Sequence, residues 1–449
     1  MELAFLRKIY GNSVVLATVL SRRGIEYRNR EKIERLRDGN VRKLVRYAAR
    51  NVPYYREWFR EHNFDPREIK TAADLVRLPV LDKATVIQDP ERFRSGSRRG
   101  RSAIKFSTSG STGLPLTFYH DRRSILANMA HSEPARTVKT DLTGKLFGFS
   151  ILTVNRTDST GLRVRTFCSD HTFIPIRPQK MRLDIIDPLE KVIESIRQFK
   201  PEIIASYGSY LELLFRYIHE RNIEIPLPKL VRFGADGMTE PGRKLITEQF
   251  GLPVLASYNA VECFKIGFQC GQGPAYHLYE DLCHVRIASE VGETLPAGEK
   301  GAVIISNLVN RGTVLLNYKL GDIASLSNEP CGCGRTLRLL ADLEGRVEDI
   351  LILADDRFLH PRAIWAVLRT VKGLLRYQFV QHEPDRFELK LVTITEDAYA
   401  KIVEQVSSQF QSLLGQTAHL VVRRHDDLPP DRSGKFRAVI SNCLRRNKL

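Results

Sequence analysis

The run Phe106-Ser107-Thr108-Ser109-Gly110-Ser111-Thr112-Gly113-Leu114-Pro115 gathers five hydroxyl side chains and two glycines into ten residues. Glycines let the backbone curl until several N–H groups point to one spot, and hydroxyls add donors without bulk. Such a loop suits the oxygens of a polyphosphate. No Gly-Lys-Ser/Thr closes it, so it is not a Walker loop. On this run alone a polar linker or hairpin turn stays open, because Ser/Thr/Gly clusters usually mark loops.

A second group with chemistry in it is Cys270, His277, Cys331 and Cys333, spaced Cys-x6-His and Cys-x-Cys. Thiolate and imidazole suit Zn²⁺, and four protein ligands would make the site structural rather than catalytic. The alternative is four independent residues, the cysteines acting as small buried hydrophobes. Cys263, Cys283 and His284 are the substitutes if one ligand is different. Seven cysteines are an odd number, and no secretory context supports a disulfide framework.

The elements that must position these groups follow from length and pattern. A chain of 449 residues fits two or three domains, and 43% hydrophobic with 27% charged residues is a globular composition. No apolar run approaches the roughly 20 residues of a membrane span. Val14 to Leu20 is apolar but short, has charges on both sides and no small-residue cleavage site, so no signal peptide is read and a cytoplasmic location is expected. The net charge of +17 attracts anions of every kind. Local clusters stand at Arg98, Arg99 and Arg101 and at Arg445, Arg446 and Lys448. Neither an aromatic-interleaved RNA motif nor a helix-turn-helix pattern is present, so no nucleic-acid partner is expected.

Residues 28–59 repeat apolar positions at helical spacing (Ile33, Leu36, Val41, Leu44, Val45, Ala48). They open a helical cap, residues 1–105, that belongs to a large domain. From Ser107 short β-rich and helical runs alternate: strands at 116–119, 146–153, 202–205, 230–235 and 254–258, helices at 122–131, 188–199, 211–221 and 241–250. That rhythm predicts an α/β fold with mostly parallel, helix-covered sheets. Gly234-Ala235-Asp236 and Tyr258-Asn259-Ala260-Val261-Glu262 lie at carboxyl ends of strands, where ligands of such sheets gather. Residues 284–327 read as antiparallel and β-rich, completing a core over 106–345. The remainder, 346–449, reads as a small α+β domain.

Together these segments resemble the adenylate-forming enzymes, the acyl-CoA synthetase and luciferase superfamily. More narrowly they resemble its phenylacetate–CoA ligase branch and the capsule-biosynthesis relatives, from about residue 30 to the end. The resemblance implies that Ser107, Thr108, Ser109, Gly110, Ser111, Thr112 and Gly113 hold the β- and γ-phosphates of ATP. It implies that Gly234, Ala235 and Asp236 border adenine, and that Tyr258 and Asn259 stand beside it, with Glu262 on Mg²⁺. Tyr318-Lys319-Leu320-Gly321-Asp322 is similar to the motif whose aspartate holds the ribose hydroxyls. Gly345-Arg346-Val347-Glu348-Asp349 is similar to the hinge before a mobile C-terminal domain, with Arg346 near the nucleotide and Glu348 as the pivot. Ser433-Gly434-Lys435-Phe436-Arg437 is similar to the segment that supplies the lysine of adenylation, here Lys435. Branch members also carry a cysteine cluster like that of Cys270, His277, Cys331 and Cys333.

These residue types suit those roles. An aspartate accepts two ribose hydroxyls, a glutamate is a hard ligand for Mg²⁺, and a mobile lysine is a compact cation for an attacking carboxylate and an α-phosphate. Asn259 and Val261 depart from the family's glycine and Ser/Thr, and Lys319-Leu320 replaces Arg-Thr. The expectation is an enzyme that adenylates a carboxylic acid with ATP and Mg²⁺ and passes the acyl group to coenzyme A. An amine or hydroxyl acceptor is the second option, and a degenerate nucleotide-binding homologue the third. A basic protein bound to nucleic acid or an anionic membrane is the option from another class. The acid's identity and the oligomeric state are left open, a dimer being one option. The acyl pocket is expected from 146–153, 207–210, Phe233 and Tyr258.

Overall fold

A computed structural model describes residues 2–107, 116–155, 159–173, 180–185, 187–344, 351–355, 358–359, 361–368, 371–429 and 437–443. The chain divides into two compact units, one of Met1–Ile151, Thr157–Lys180 and Leu255–Glu344, the other of Leu152–Arg156, Met181–Val254 and Gly345–Leu449.

The first unit opens with the helices Glu2–Arg22, Arg30–Asn51 and Pro53–Glu61. Asn29 caps the second by accepting from the Lys32 amide, and Pro53 starts the third, where its missing N–H costs nothing. The helical spacing of Val41, Leu44, Val45 and Ala48 puts all four into one core with Tyr55, Phe93, Val285, Val303, Ile305 and Leu315. Full burial of each large side chain there contributes about 1.5–3 kcal/mol. The sheet of this unit is antiparallel, as the sequence of 284–327 predicts. Strands Cys283–Ala288, Gly301–Asn307, Tyr318–Leu326 and Leu339–Glu344 form a meander. It continues through Tyr276–Leu278 and Gly267–Phe268 to the end of the Val254–Tyr258 strand. A separate hairpin pairs Ile104–Ser107 with Thr117–His120.

The second unit carries the parallel element of the fold. Ile203–Ser206 and Leu230–Gly234 pair in parallel, and the helix Gly208–Glu220 connects them. Toward the C-terminus, Leu374–Glu383 and Arg386–Thr393 form an antiparallel pair flanked by the parallel strands Val439–Ser441 and His419–Arg424. The helix Glu396–Leu414 covers that sheet, with Phe379, Phe387, Leu389, Val406 and Phe410 between them. This is the α+β body expected after residue 345.

Three differences from the sequence reading have physical causes. The strand expected over 146–153 begins only at Ile151, because Gly148 adopts φ +75° and breaks extension before it. The helices Glu133–Thr143 and Thr160–His171 are additional. Their threonines and arginines give little apolar period, and packing rather than propensity decides them.

Candidate active site

The strands Ile104–Ser107 and Thr117–His120 stand on either side of the hydroxyl–glycine run in sequence and pair as a hairpin, with Ser107 opposite Thr117. Thr108, Ser109, Gly110, Ser111, Thr112 and Gly113 lie outside the described residues, so the stems carry the geometry. Phe106 on one stem and His120 on the other both pack on Phe264, His120 stacking at 3.9 Å between ring centroids and Phe106 meeting it edge-on at 5.1 Å. His120 Nε2 donates to the Val261 carbonyl at 2.7 Å. The loop's two stems are therefore bound to the turn that presents Glu262.

That turn is tightly held. Its Phe264 has φ +63°, uncommon for a bulky residue, and the Glu262 carbonyl accepts from Asn307 Nδ2 at 2.9 Å. Asn259 spans the same turn, and with its amide turned so that the nitrogen faces inward it donates to the Tyr258 and Phe264 carbonyls at 3.1 and 3.0 Å. Burial drives the His120 pKa down to about 4, so the imidazole is neutral and keeps its proton on Nε2 for Val261.

Asp322 reaches the same neighbourhood from the Tyr318–Leu326 strand. Register with Gly301–Asn307 shifts between Ala302 and Ile304, so the chain bulges at Leu320-Gly321-Asp322, and Gly321 takes φ +90°. A bulge re-aims a side chain. Here the Tyr258 hydroxyl donates to Asp322 Oδ2 at 2.6 Å. Two of the predicted nucleotide residues thus meet directly.

A turn that sequence reasoning did not single out as functional anchors the hairpin. Asn310 Oδ1 accepts from the Asp121 and Gly312 amides at 3.1 and 3.0 Å and from Ser124 Oγ at 3.3 Å. Its Nδ2 donates to the Tyr119 and Thr313 carbonyls, both at 2.8 Å. A Cβ on Gly312 would sit 2.2 Å from the Tyr119 carbonyl oxygen, so only glycine allows this approach. Asp121 is buried and accepts from the Arg311 amide at 2.7 Å and from the Arg99 guanidinium at 2.6 Å. The sequence signal was present: Asn-x-Gly in a turn, and Asp directly after a strand.

In the second unit, Gly234 ends its strand and Ala235 follows with φ +75°. Asp236 accepts from the Gly208 amide at 2.6 Å and from Ser209 Oγ, so it caps the Gly208–Glu220 helix. Tyr207, Tyr210 and Phe233 are buried in that unit. Arg346, Glu348 and Lys435 lie outside the described residues.

The Cys/His group is assembled in the first unit. The ligand atoms of Cys270, His277, Cys331 and Cys333 all lie within 4.8 Å of one another. Cys270 Sγ is 3.5 Å from Cys331 Sγ, and Cys333 Sγ is 3.3 Å from His277 Nε2. A tetrahedron with Zn–S near 2.3 Å and Zn–N near 2.0–2.1 Å has edges of about 3.5–3.8 Å. Burial and Arg335 lower the His277 pKa to about 4, leaving the neutral imidazole a metal requires. Burial alone would raise the Cys333 thiol, but hydrogen bonds with the Arg335 backbone and side chain and with Cys331 and Cys270 together outweigh it and lower its pKa. Cys263 and Cys283 sit in the hydrophobic core instead.

Comparisons with known proteins agree with this architecture. Residues 351–442 match the CapK C-terminal domain family. Over 395 residues the chain is 27% identical to a phenylacetate–coenzyme A ligase of Thermus thermophilus, covering 84% of this chain and 85% of that protein. It is 22% identical to the protein CapK of Staphylococcus aureus, covering 92% of each. A crystal structure of 2-hydroxyisobutyryl-CoA ligase in the postadenylation state, with R3-HIB-AMP, superposes with a TM-score of 0.74 at 18% identity, covering 94% of this chain and 92% of that one. The fold is that of an adenylate-forming ligase. These similarities support the adenylate-forming superfamily and, within it, the branch of the phenylacetate–CoA ligases and their CapK relatives.

Proposed function

We propose that this protein activates a carboxylic acid with ATP and transfers the acyl group to coenzyme A. The observation that carries the reading is the union of the hydroxyl–glycine hairpin with the Glu262 turn through Phe106, His120 and Phe264. It supports a reading in which the hydroxyl–glycine run would hold the phosphates near a carboxylate suited to the metal of Mg·ATP. In the first half-reaction a carboxylate oxygen attacks the α-phosphorus, the bond to the β-phosphate oxygen breaks, and pyrophosphate leaves. In the second the thiol sulfur attacks the acyl carbon, its proton passes to solvent, and AMP departs.

Positioning and charge neutralisation dominate such displacements. Residues 107–113 would hold the departing phosphates, Asp322 the ribose, and Gly234, Ala235, Asp236, Tyr258 and Asn259 the adenine side. Glu262 would bind Mg²⁺, which when present spreads the negative charge of the phosphates. Lys435 would neutralise charge as the mixed anhydride forms, with Arg346 near the nucleotide and residues 346–449 turning about Glu348 between steps. Zn²⁺ on Cys270, His277, Cys331 and Cys333 would be structural. Relatives named phenylacetate–coenzyme A ligase support coenzyme A as the acceptor.

The test is carboxylate-dependent ATP–pyrophosphate exchange over a panel of acids, followed by pyrophosphate release with and without coenzyme A. Exchange by the native chain that disappears in Lys435→Ala is expected. No exchange with any acid, alongside intact ATP binding, leaves a degenerate binder. Exchange without thioester formation moves the acceptor to an amine or hydroxyl.

A further inference from the structure

The Glu2–Arg22 helix is docked with its apolar side outward. Phe5, Leu6, Ile9, Tyr10, Leu16 and Leu20 remain 46–60% exposed. At 3.6 residues per turn Leu6, Ile9, Ser13, Leu16, Ala17 and Leu20 form one stripe, and Glu2 is its one charge. Surface helices of globular proteins normally show the reverse arrangement.

Three contacts prevent the stripe from turning inward. A Cβ on Gly11 would lie 1.7 Å from the His171 carbonyl oxygen, so the helix rests backbone-close on Thr160–His171. Val14 is buried on the same side. At the helix end, the Arg22 guanidinium is buried in a two-pronged ion pair with Asp281, whose Oδ1 it meets at 2.9 Å. Phe173 extends the apolar patch, packing on Phe5 at 5.6 Å with Lys8 over its ring.

The surroundings are cationic. Arg7 is exposed on the helix itself, and the two helices packed against it, Arg122–Ala130 and Thr160–His171, expose Arg122, Arg123 and Arg165, while Arg163 is held by the Lys105 carbonyl and the Phe106 ring. Glu2 and Asp170 are the acidic residues on these three helices. We infer that this face seats on an anionic lipid bilayer, the apolar side chains entering the headgroup boundary and the arginines meeting lipid phosphates. A second copy of the chain fits less well, since each carries +17 and the pair would repel. No described helix is long and apolar enough to cross a membrane, so the contact is peripheral.

The test is sedimentation of the full chain with phosphatidylcholine vesicles, with and without roughly a third phosphatidylglycerol. The native chain should bind the anionic vesicles at least tenfold more tightly, and added salt should weaken that binding. Ile9→Glu with Leu16→Glu should lose at least tenfold with its melting temperature kept. If that pair misfolds, Leu6→Ser with Leu20→Ser gives the same reading. Absence of binding, equal binding to neutral vesicles, or binding that survives the substitutions overturns the inference. So does a native dimer that the substitutions break into monomers, because the face then belongs to a second copy.

Discussion

The Tyr258 hydroxyl and the Asp322 carboxylate, 64 positions apart, share a 2.6 Å hydrogen bond. It fixes the carboxylate that the proposed reaction needs on the ribose. Tyr258→Phe removes one hydrogen bond of about 1 kcal/mol and should raise the KM for ATP about fivefold. Asp322→Ala removes the charged acceptor itself, and about 1.5–3 kcal/mol should lower kcat/KM for ATP roughly 10- to 150-fold. Pyrophosphate release against ATP concentration measures both, and an unchanged ATP dependence in Asp322→Ala would refute the ribose assignment.

Acid should destabilise the protein well above the carboxylate range. Burial lowers His120 to about 4, and burial with neighbouring arginines lowers His284 to about 3, whereas an unfolded histidine titrates near 6.5. The unfolded chain takes up the protons first, so stability is complete above about pH 6.5 and falls as pH drops toward 4. Each histidine gives a slope of up to about 1.4 kcal/mol per pH unit. Melting temperatures from pH 7.5 to 5 should decline, and His120→Gln, which can still reach the Val261 carbonyl, should decline less steeply.

The buried pair Arg22–Asp281 predicts an asymmetric mutational response. Burial alone would raise the Asp281 carboxyl, but Arg22 and His131 outweigh it and hold it far below the usual range. Asp281→Ala leaves a buried cation without its partner and should cost about 3–5 kcal/mol. Replacing both residues by apolar ones of similar size should cost clearly less. Denaturant melts of the two variants beside the native chain decide it, and equal losses for the single and double changes would sink the account.

Purified protein should carry about one equivalent of zinc, matching one four-ligand site. Removing it with a chelator should lower the melting temperature, and Cys333→Ser should not retain the metal. Less than half an equivalent in the native protein removes the zinc proposal.

Much of this was legible in the residues. Helical spacing at Val41, Leu44, Val45 and Ala48 reported a buried face, and the β-α rhythm from 202 to 258 reported strands to within about a residue. The Cys-x6-His pair runs into the Tyr276–Leu278 strand and the Cys-x-Cys pair lies just before Leu339–Glu344, and the pairing of Leu339 with His277 brings the two together. Asn-x-Gly at 310–312 signalled a turn, but the partners of His120 and Asn310 were not legible. A lone histidine at a strand end and an Asn-x-Gly turn are both common, and only long-range packing gives these two their partners. The Leu320–Asp322 bulge was hidden for a related reason: register belongs to the partner strand.

Asn310 has spent its whole amide, three contacts received and two given. Aspartate would lose both donors, leucine every polar contact, and glutamine would carry the amide one methylene too far. Evolution is thus left with a single letter at a position outside the proposed ligand set. Substrate preference in descendants of this chain is free to drift elsewhere, while this knot at the stems of the hydroxyl–glycine run admits no synonym.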